Sequence, residues 1–141
     1  MRYLILVLVG LLALACSSAD KSEGALRRAV EDYANAIAEG EAATAYKHVD
    51  ESFKDKCPFS DFTGALLFGR AFFGEEFANA EYRVSTVHID GDRATIEGDF
   101  YLEDEPLHWD EAEDDYPNYW LWSEGKWRTA TDDPDPCGLS S

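Results

Sequence analysis

The stretch Tyr82–Leu102, YRVSTVHIDGDRATIEGDFYL, decides the fold class. Tyr82, Val84 and Thr86 alternate with their neighbours, and Val87 and Ile89 continue in the opposite phase. A phase switch within one strand indicates a bulge, because each extra residue turns the side chains to the other face. Asp90-Gly91-Asp92 is a hairpin turn signal. Ala94, Ile96, Gly98, Phe100 and Leu102 then alternate cleanly with Arg93, Thr95, Glu97, Asp99 and Tyr101, so the first set is expected to face the core. Two long antiparallel strands follow from these residues alone.

Downstream, a third strand is expected from about Asn118 to Trp122 and a last one from Trp127 to Thr131, joined by a turn at Ser123–Lys126. The intervening Glu103–Asp115, EDEPLHWDEAEDD, reads as an acidic loop, and the tail DDPDPCGLSS as a loop. Upstream, the period is helical. Leu26, Val30, Tyr33 and Ile37 lie on one face of a helix spanning Ala25–Glu39, with Asp20 or Ser22 as the N-cap and Gly40 just past its end. A shorter helix is expected over Ala42–Val49, restarting through Phe53. Pro58 breaks the chain, and Ser60 is placed to cap a third helix, Asp61 to about Phe73, with Phe62, Leu66, Leu67 and Phe73 as its core candidates. Helices first and an antiparallel sheet second make an α+β fold, N-terminal helices packed on a curved sheet of about four strands.

The chain has 141 residues, which suits one domain, and 12 Lys+Arg against 29 Asp+Glu give a net charge of −17. Nucleic acid needs a basic face, so this balance excludes it as a partner, and an electrostatic membrane patch with it. Aromatic residues are 13%, with three Phe within Ala71–Phe77, so the chain is too apolar to be a disordered acidic segment.

The first residues form an address. Met1-Arg2 precedes 13 uncharged residues, Tyr3–Ala15, the length of a signal-peptide core rather than of a membrane span. The segment ends in Leu12-Ala13-Leu14-Ala15-Cys16, which resembles the lipobox of bacterial lipoproteins, with Ala13 and Leu14 in the reverse of the usual order. The resemblance implies cleavage after Ala15, lipidation of Cys16 and anchoring to a membrane on its extracytoplasmic side. Ala-Leu-Ala is also an ordinary cleavage site, and the alternative is plain secretion. Three cysteines are odd for an exported protein. With Cys16 lipidated, Cys57 and Cys137 remain for one disulfide. The organisation expected is a signal peptide over 1–15, a tether over 16–24, a domain over 25–137 and a tail over 138–141.

Three segments in order resemble the nuclear-transport-factor-2-like family, the cystatin-like cone: AEGEAATAY at 38–46, VHIDGDRATIEGDF at 87–100 and WSEGKWR at 122–128. The resemblance covers about residues 25–131. It implies a sheet curved around helices to leave a conical pocket. Some members are enzymes, such as ketosteroid isomerases, polyketide cyclases and dehydratases; many only bind, dimerise or scaffold.

The pocket is expected to be lined by Tyr33, Tyr46, Phe62, Leu66, Ile96, Phe100 and Trp127. The function read from this is a lipid-anchored, non-catalytic binding or interaction module for a small apolar ligand or a protein segment, without a cofactor. The first alternative is an isomerase- or cyclase-type enzyme. Such a site needs a carboxylate base and oxyanion donors in an apolar pocket. Tyr33, Tyr46 or His48 could enter it from the helices, whereas Glu97 and Asp99 alternate away from the core set. The second alternative is a cation-dependent surface module. The 103–115 stretch holds eight acids in 13 residues and lacks a calcium-loop pattern, so a solvated loop or a docking surface for a basic partner is the plainer reading. His88, Asp90 and Asp92 stand at ligand spacing, but the turn already accounts for both Asp and the Gly, and no metal is assigned. No phosphate loop, nucleophile elbow or H-E-x-x-H is present. Trp120 and Trp122 project from one strand face, Tyr119 and Leu121 from the other. Both faces are apolar, which suggests a homodimer through the sheet.

Overall fold

Why the first helix begins and ends where it does is visible at its caps. The computed structural model describes residues 21–107 and 117–138. Helix α1 runs Glu23–Glu39. Ser22 Oγ accepts from the Ala25 N–H at 3.2 Å, satisfying a donor that the first turn cannot. Gly40 ends the helix in the left-handed region (φ 76°), and the next N–H, of Glu41, reaches back to Ala36 O at 2.8 Å. Leu26 and Val30 on its inner face pack against Ala94, Trp120 and Trp127 of the sheet.

The expected second helix stops at Tyr46, short of Val49, and the expected restart is a separate helix. Helix α2 spans Ala42–Tyr46 and α3 spans Glu51–Lys56. They separate because the backbone between them is used elsewhere. Thr129 N–H donates to His48 O at 2.7 Å, and Asp50 N–H donates to Thr129 O at 2.9 Å. Val49 thereby forms a parallel bridge to Thr129 and closes the edge of the last strand. Asp50 then caps α3, accepting from the Ser52 N–H and Oγ.

Helix α4 spans Phe59–Phe73. Pro58 stands at its N-cap and Ser60 lies inside the first turn, its Oγ on Asp61, so the expected Ser60 cap is corrected. Of its core candidates Phe62 is buried and Leu66 half-buried. Leu67 (61%) and Phe73 (46%) are exposed, as are Phe68 (76%) and Phe72 (78%). The helix is apolar around most of its circumference; it packs on α2, on the 3₁₀ turn Glu75–Asn79 and, through Phe62, on Phe53 of α3. That turn buries Phe77 against Ala38 and Ala80.

Strands β1 (Glu81–Asp90) and β2 (Arg93–Leu102) form the long hairpin. The register slips between Val84 and Thr86, where Ser85 bulges out and its Oγ donates to Glu97 O at 3.1 Å. Gly91 (φ 61°) and Asp92 make the two-residue turn. The alternation along β2 stands: Ala94 is buried, Ile96, Gly98, Phe100 and Leu102 are half-buried, and Glu97 and Asp99 are exposed.

The acidic stretch does not start as an open loop. Glu103 (φ 50°) and Asp104 (φ 67°) turn tightly, and β3 (Glu105–Pro106) pairs back onto Leu102 and Tyr101. The rest of that stretch, from 108, lies outside the described residues, as do the leader, Cys16 and the tether up to 20. Strands β4 (Tyr119–Ser123) and β5 (Lys126–Ala130) complete an antiparallel sheet of five strands, order β1-β2-β4-β5 with β3 on β2. The fold is α+β, with one strand more than expected. Cys57 and Cys137 pair as a disulfide, Cα–Cα 5.7 Å, across a separation of 80. The bridge fastens the segment after β5 to the α3–α4 junction.

Candidate functional site

Two apolar cavities border α1 and share Tyr33 and Ile37. The first, about 320 Å³, is bounded by Tyr33 and Ile37 of α1, Phe53 of α3, and Phe62, Leu66, Arg70 and Phe73 of α4. Phe77 closes one side, and the segment after β5 (Thr131, Asp133, Pro136, Cys137) forms the opposite wall. The second, about 290 Å³, lies between α1 and the sheet, against Val30, Tyr82, Ile96, Phe100, Trp120 and Thr129. Tyr33, Ile37 and Asn118 border both. Such volumes lie at the lower end of the range of small-ligand sites, about 300–1,000 Å³.

The residues expected to share one cone are thus divided. Phe62 and Leu66 line the first cavity, Ile96 and Phe100 the second, and Tyr33 both. Tyr46 and Trp127 line neither. Tyr46 packs its ring on Phe59 and Phe62, 5.2 Å from each, and donates its hydroxyl to Cys57 O at 3.0 Å. Trp127 sits edge-on to Trp122 at 5.5 Å, in the cluster of Leu26 and Val30. Strand alternation assigns a face but not a position along it, and Ala94, part of that cluster, is six residues or about 20 Å of strand from Phe100.

Tyr33 is the polar group at the centre. Its ring meets Trp120 edge-on at 5.9 Å, and burial pushes its hydroxyl up to about 12, so it stays protonated at neutral pH. Tyr82 is likewise raised, by burial first and by Asp99 second. His48 stands away from both cavities. Burial holds it below its ordinary value against an opposing pull from Asp32, while Lys126 and Lys47 lower it further.

Charge enters the first cavity through two side chains, Arg70 and Asp133. Asp133 Oδ1 accepts from the Asp135 N–H at 2.8 Å, a local turn. Lys56 Nζ ties this segment down, donating to the carbonyls of Thr131 (3.3 Å) and Asp133 (3.0 Å). Arg70 donates from Nη1 to Glu39 O at 2.6 Å. A Cβ on Gly40 would fall on this guanidinium.

Other sequence candidates stand apart. His88 is exposed, and Asp92 is ion-paired with Lys21. No cluster of three or more His, Cys, Asp or Glu able to hold a metal is formed among the described residues. Asp104 pairs with Arg83 at 2.6 Å. Tyr119 is covered by its own chain: Arg93 lies 3.5 Å above the ring, and the hydroxyl donates to Asp132 at 3.0 Å.

Ile37, Arg70, Asn118 and the 131–137 wall were not among the sequence candidates. Ile37 was legible, since it lies on the Leu26–Val30–Tyr33 stripe. The wall follows from the disulfide, which carries it across to α3 and α4. Arg70 has the one detectable signal of a cation in the most apolar helix of an acidic chain. Comparison with known protein families and with curated proteins found no match to this chain.

Proposed function

We propose that the protein is a lipid-anchored extracytoplasmic binding module of the nuclear-transport-factor-2-like kind, held to its membrane through Cys16, with its ligand site at the two cavities around Tyr33. The observation that carries this reading is that pair of cavities, contiguous along Tyr33 and Ile37 and lined mainly by aromatic and aliphatic side chains. The anchor rests on the LALAC sequence. A protonated tyrosine at the centre supplies one directional hydrogen bond within an otherwise apolar wall, which is how small-ligand sites fix orientation. An isomerase-type reaction would need a carboxylate base in the same space. Among the described residues the carboxylate in the linings is Asp133, which is engaged in its own turn. Binding without turnover fits these residues better.

Native mass spectrometry of the oxidised protein purified from its host tests the proposal. A reproducible extra mass, lost in Leu66→Trp, is the expected result. A protein that carries no extra mass and takes up no member of a hydrophobic small-molecule panel would refute it. Mass measurement of the exported form tests the anchor: a diacylglyceryl adduct at Cys16 is expected, and an unmodified Cys16 excludes it.

A further inference from the structure

Arg27, Arg83, Arg93 and Arg128 each face a carboxylate. Arg70 faces none among the described residues, although acids outnumber basic residues 29 to 12. One of its five donors closes the C-terminal end of α1 at Glu39 O, and Arg70 also borders the first cavity. Gly40 lacks the side chain that would displace it, so the cation is held at that border by the backbone beneath it.

We propose that the first cavity takes a single-chain amphiphile, its anionic carboxylate or phosphate head on Arg70 and its hydrocarbon tail running along Leu66 and Phe62 toward Tyr33. This rests on the reading of the cavities as a binding site. A planar guanidinium matches such a head bidentately, and the attraction is less screened beside apolar walls than in water. A neutral hydrocarbon gains nothing from Arg70, and a cationic head is repelled by it. Tails too long for the first cavity continue past Tyr33 and Ile37 into the second.

The test is calorimetric titration of the full protein, stripped of bound lipid, with decanoate, decyl phosphate and decanol. At least one anion is expected to bind tenfold or more tighter than decanol, and the tighter of the two identifies the head. Arg70→Gln should abolish the preference for the anions over decanol. Arg70→Lys should restore part of the difference, as a point charge without the fork. Equal affinity for anions and decanol in the unaltered protein overturns the anionic-head inference and leaves the cavity reading standing. Binding of none of the three overturns both. The comparison in the unaltered protein requires no variant, so a poorly folding Arg70→Gln does not weaken the test.

Discussion

Opening the Cys57–Cys137 bridge should cost stability on the scale of the most damaging single substitution in the helices. The link closes a separation of 80 positions. Chain entropy puts the constraint it removes from the unfolded state at about 4.5 kcal/mol, with about 2 kcal/mol as the lower end of typical values. For a chain of this size that is roughly 10–20 °C in Tm. Cys57 is also fully buried against Val49, Phe53 and Phe62, so Cys57→Ala/Cys137→Ala loses packing worth about 1 kcal/mol more. Reduction of the unaltered protein retains both sulfurs and isolates the cross-link contribution. The assay is urea unfolding followed by tryptophan fluorescence, comparing oxidised, reduced and doubly substituted protein. The unfolded chain becomes less compact without the link, so the denaturant slope should rise as the midpoint falls. A reduced protein within about 1 kcal/mol of the oxidised one, at unchanged slope, would refute this reasoning.

Phe62→Ala should cost about 3–5 kcal/mol, because its ring is 6% exposed and packs on Tyr46 and Phe53. Phe68→Ser and Phe72→Ser on the same helix should stay within about 0.5 kcal/mol, since both rings are largely exposed; the same urea midpoints check all three. Gly40→Ala should cost about 1–2 kcal/mol from the left-handed backbone alone, and more from displacing Arg70, with Gly40→Asn milder. For His48 the folded value lies below the unfolded one of about 6.5, so the unfolded chain binds the extra proton. Its contribution is complete above about pH 6.5 and is lost as pH falls through the folded value. Urea midpoints at several pH values between 5 and 7 should slope upward with pH, and His48→Gln should flatten that slope.

The long hairpin and α1 were legible because each carries one period uninterrupted, with the bulge at Ser85 announced by the change of phase. The restart after Val49 is legible, but the end of α2 at Tyr46 is not, because Thr129, 80 residues from Val49 in sequence, takes hydrogen bonds that a longer helix would have kept. The β3 return was missed for a local reason. Its turn places Glu103 and Asp104 at positive φ without a glycine to signal it. On α4, apolar residues recur too densely for periodicity to choose a side: Leu67, expected inward, is largely exposed, while Phe73, though 46% exposed, borders the first cavity and meets Phe77. The candidate site was legible in its chemistry and not in its placement. Five of the seven expected lining residues border a cavity, but Tyr46 and Trp127 satisfy the same apolar pattern in other clusters.

The disulfide, the cavity and Arg70 form one mechanical unit. Helix α4 is seated by Phe62 at its first turns and by Phe73 and Phe77 at its last, so the side of its middle turns facing α1 meets a space that no side chain among the described residues fills. A gap of this kind costs dispersion contacts, and it persists only if its walls cannot collapse inward. Two fixtures prevent collapse. Arg70 props the far end of α4 on the α1 terminus at Glu39, and Cys57–Cys137 with Lys56 pins the opposite wall. A ligand that fills the space would recover the lost contacts and stabilise the oxidised fold, with a melting temperature that rises with its concentration. The same ligand should stabilise the reduced protein less, because Lys56 then holds the 131–137 wall without the cross-link. Equal stabilisation of both forms would place the ligand somewhere other than this cavity.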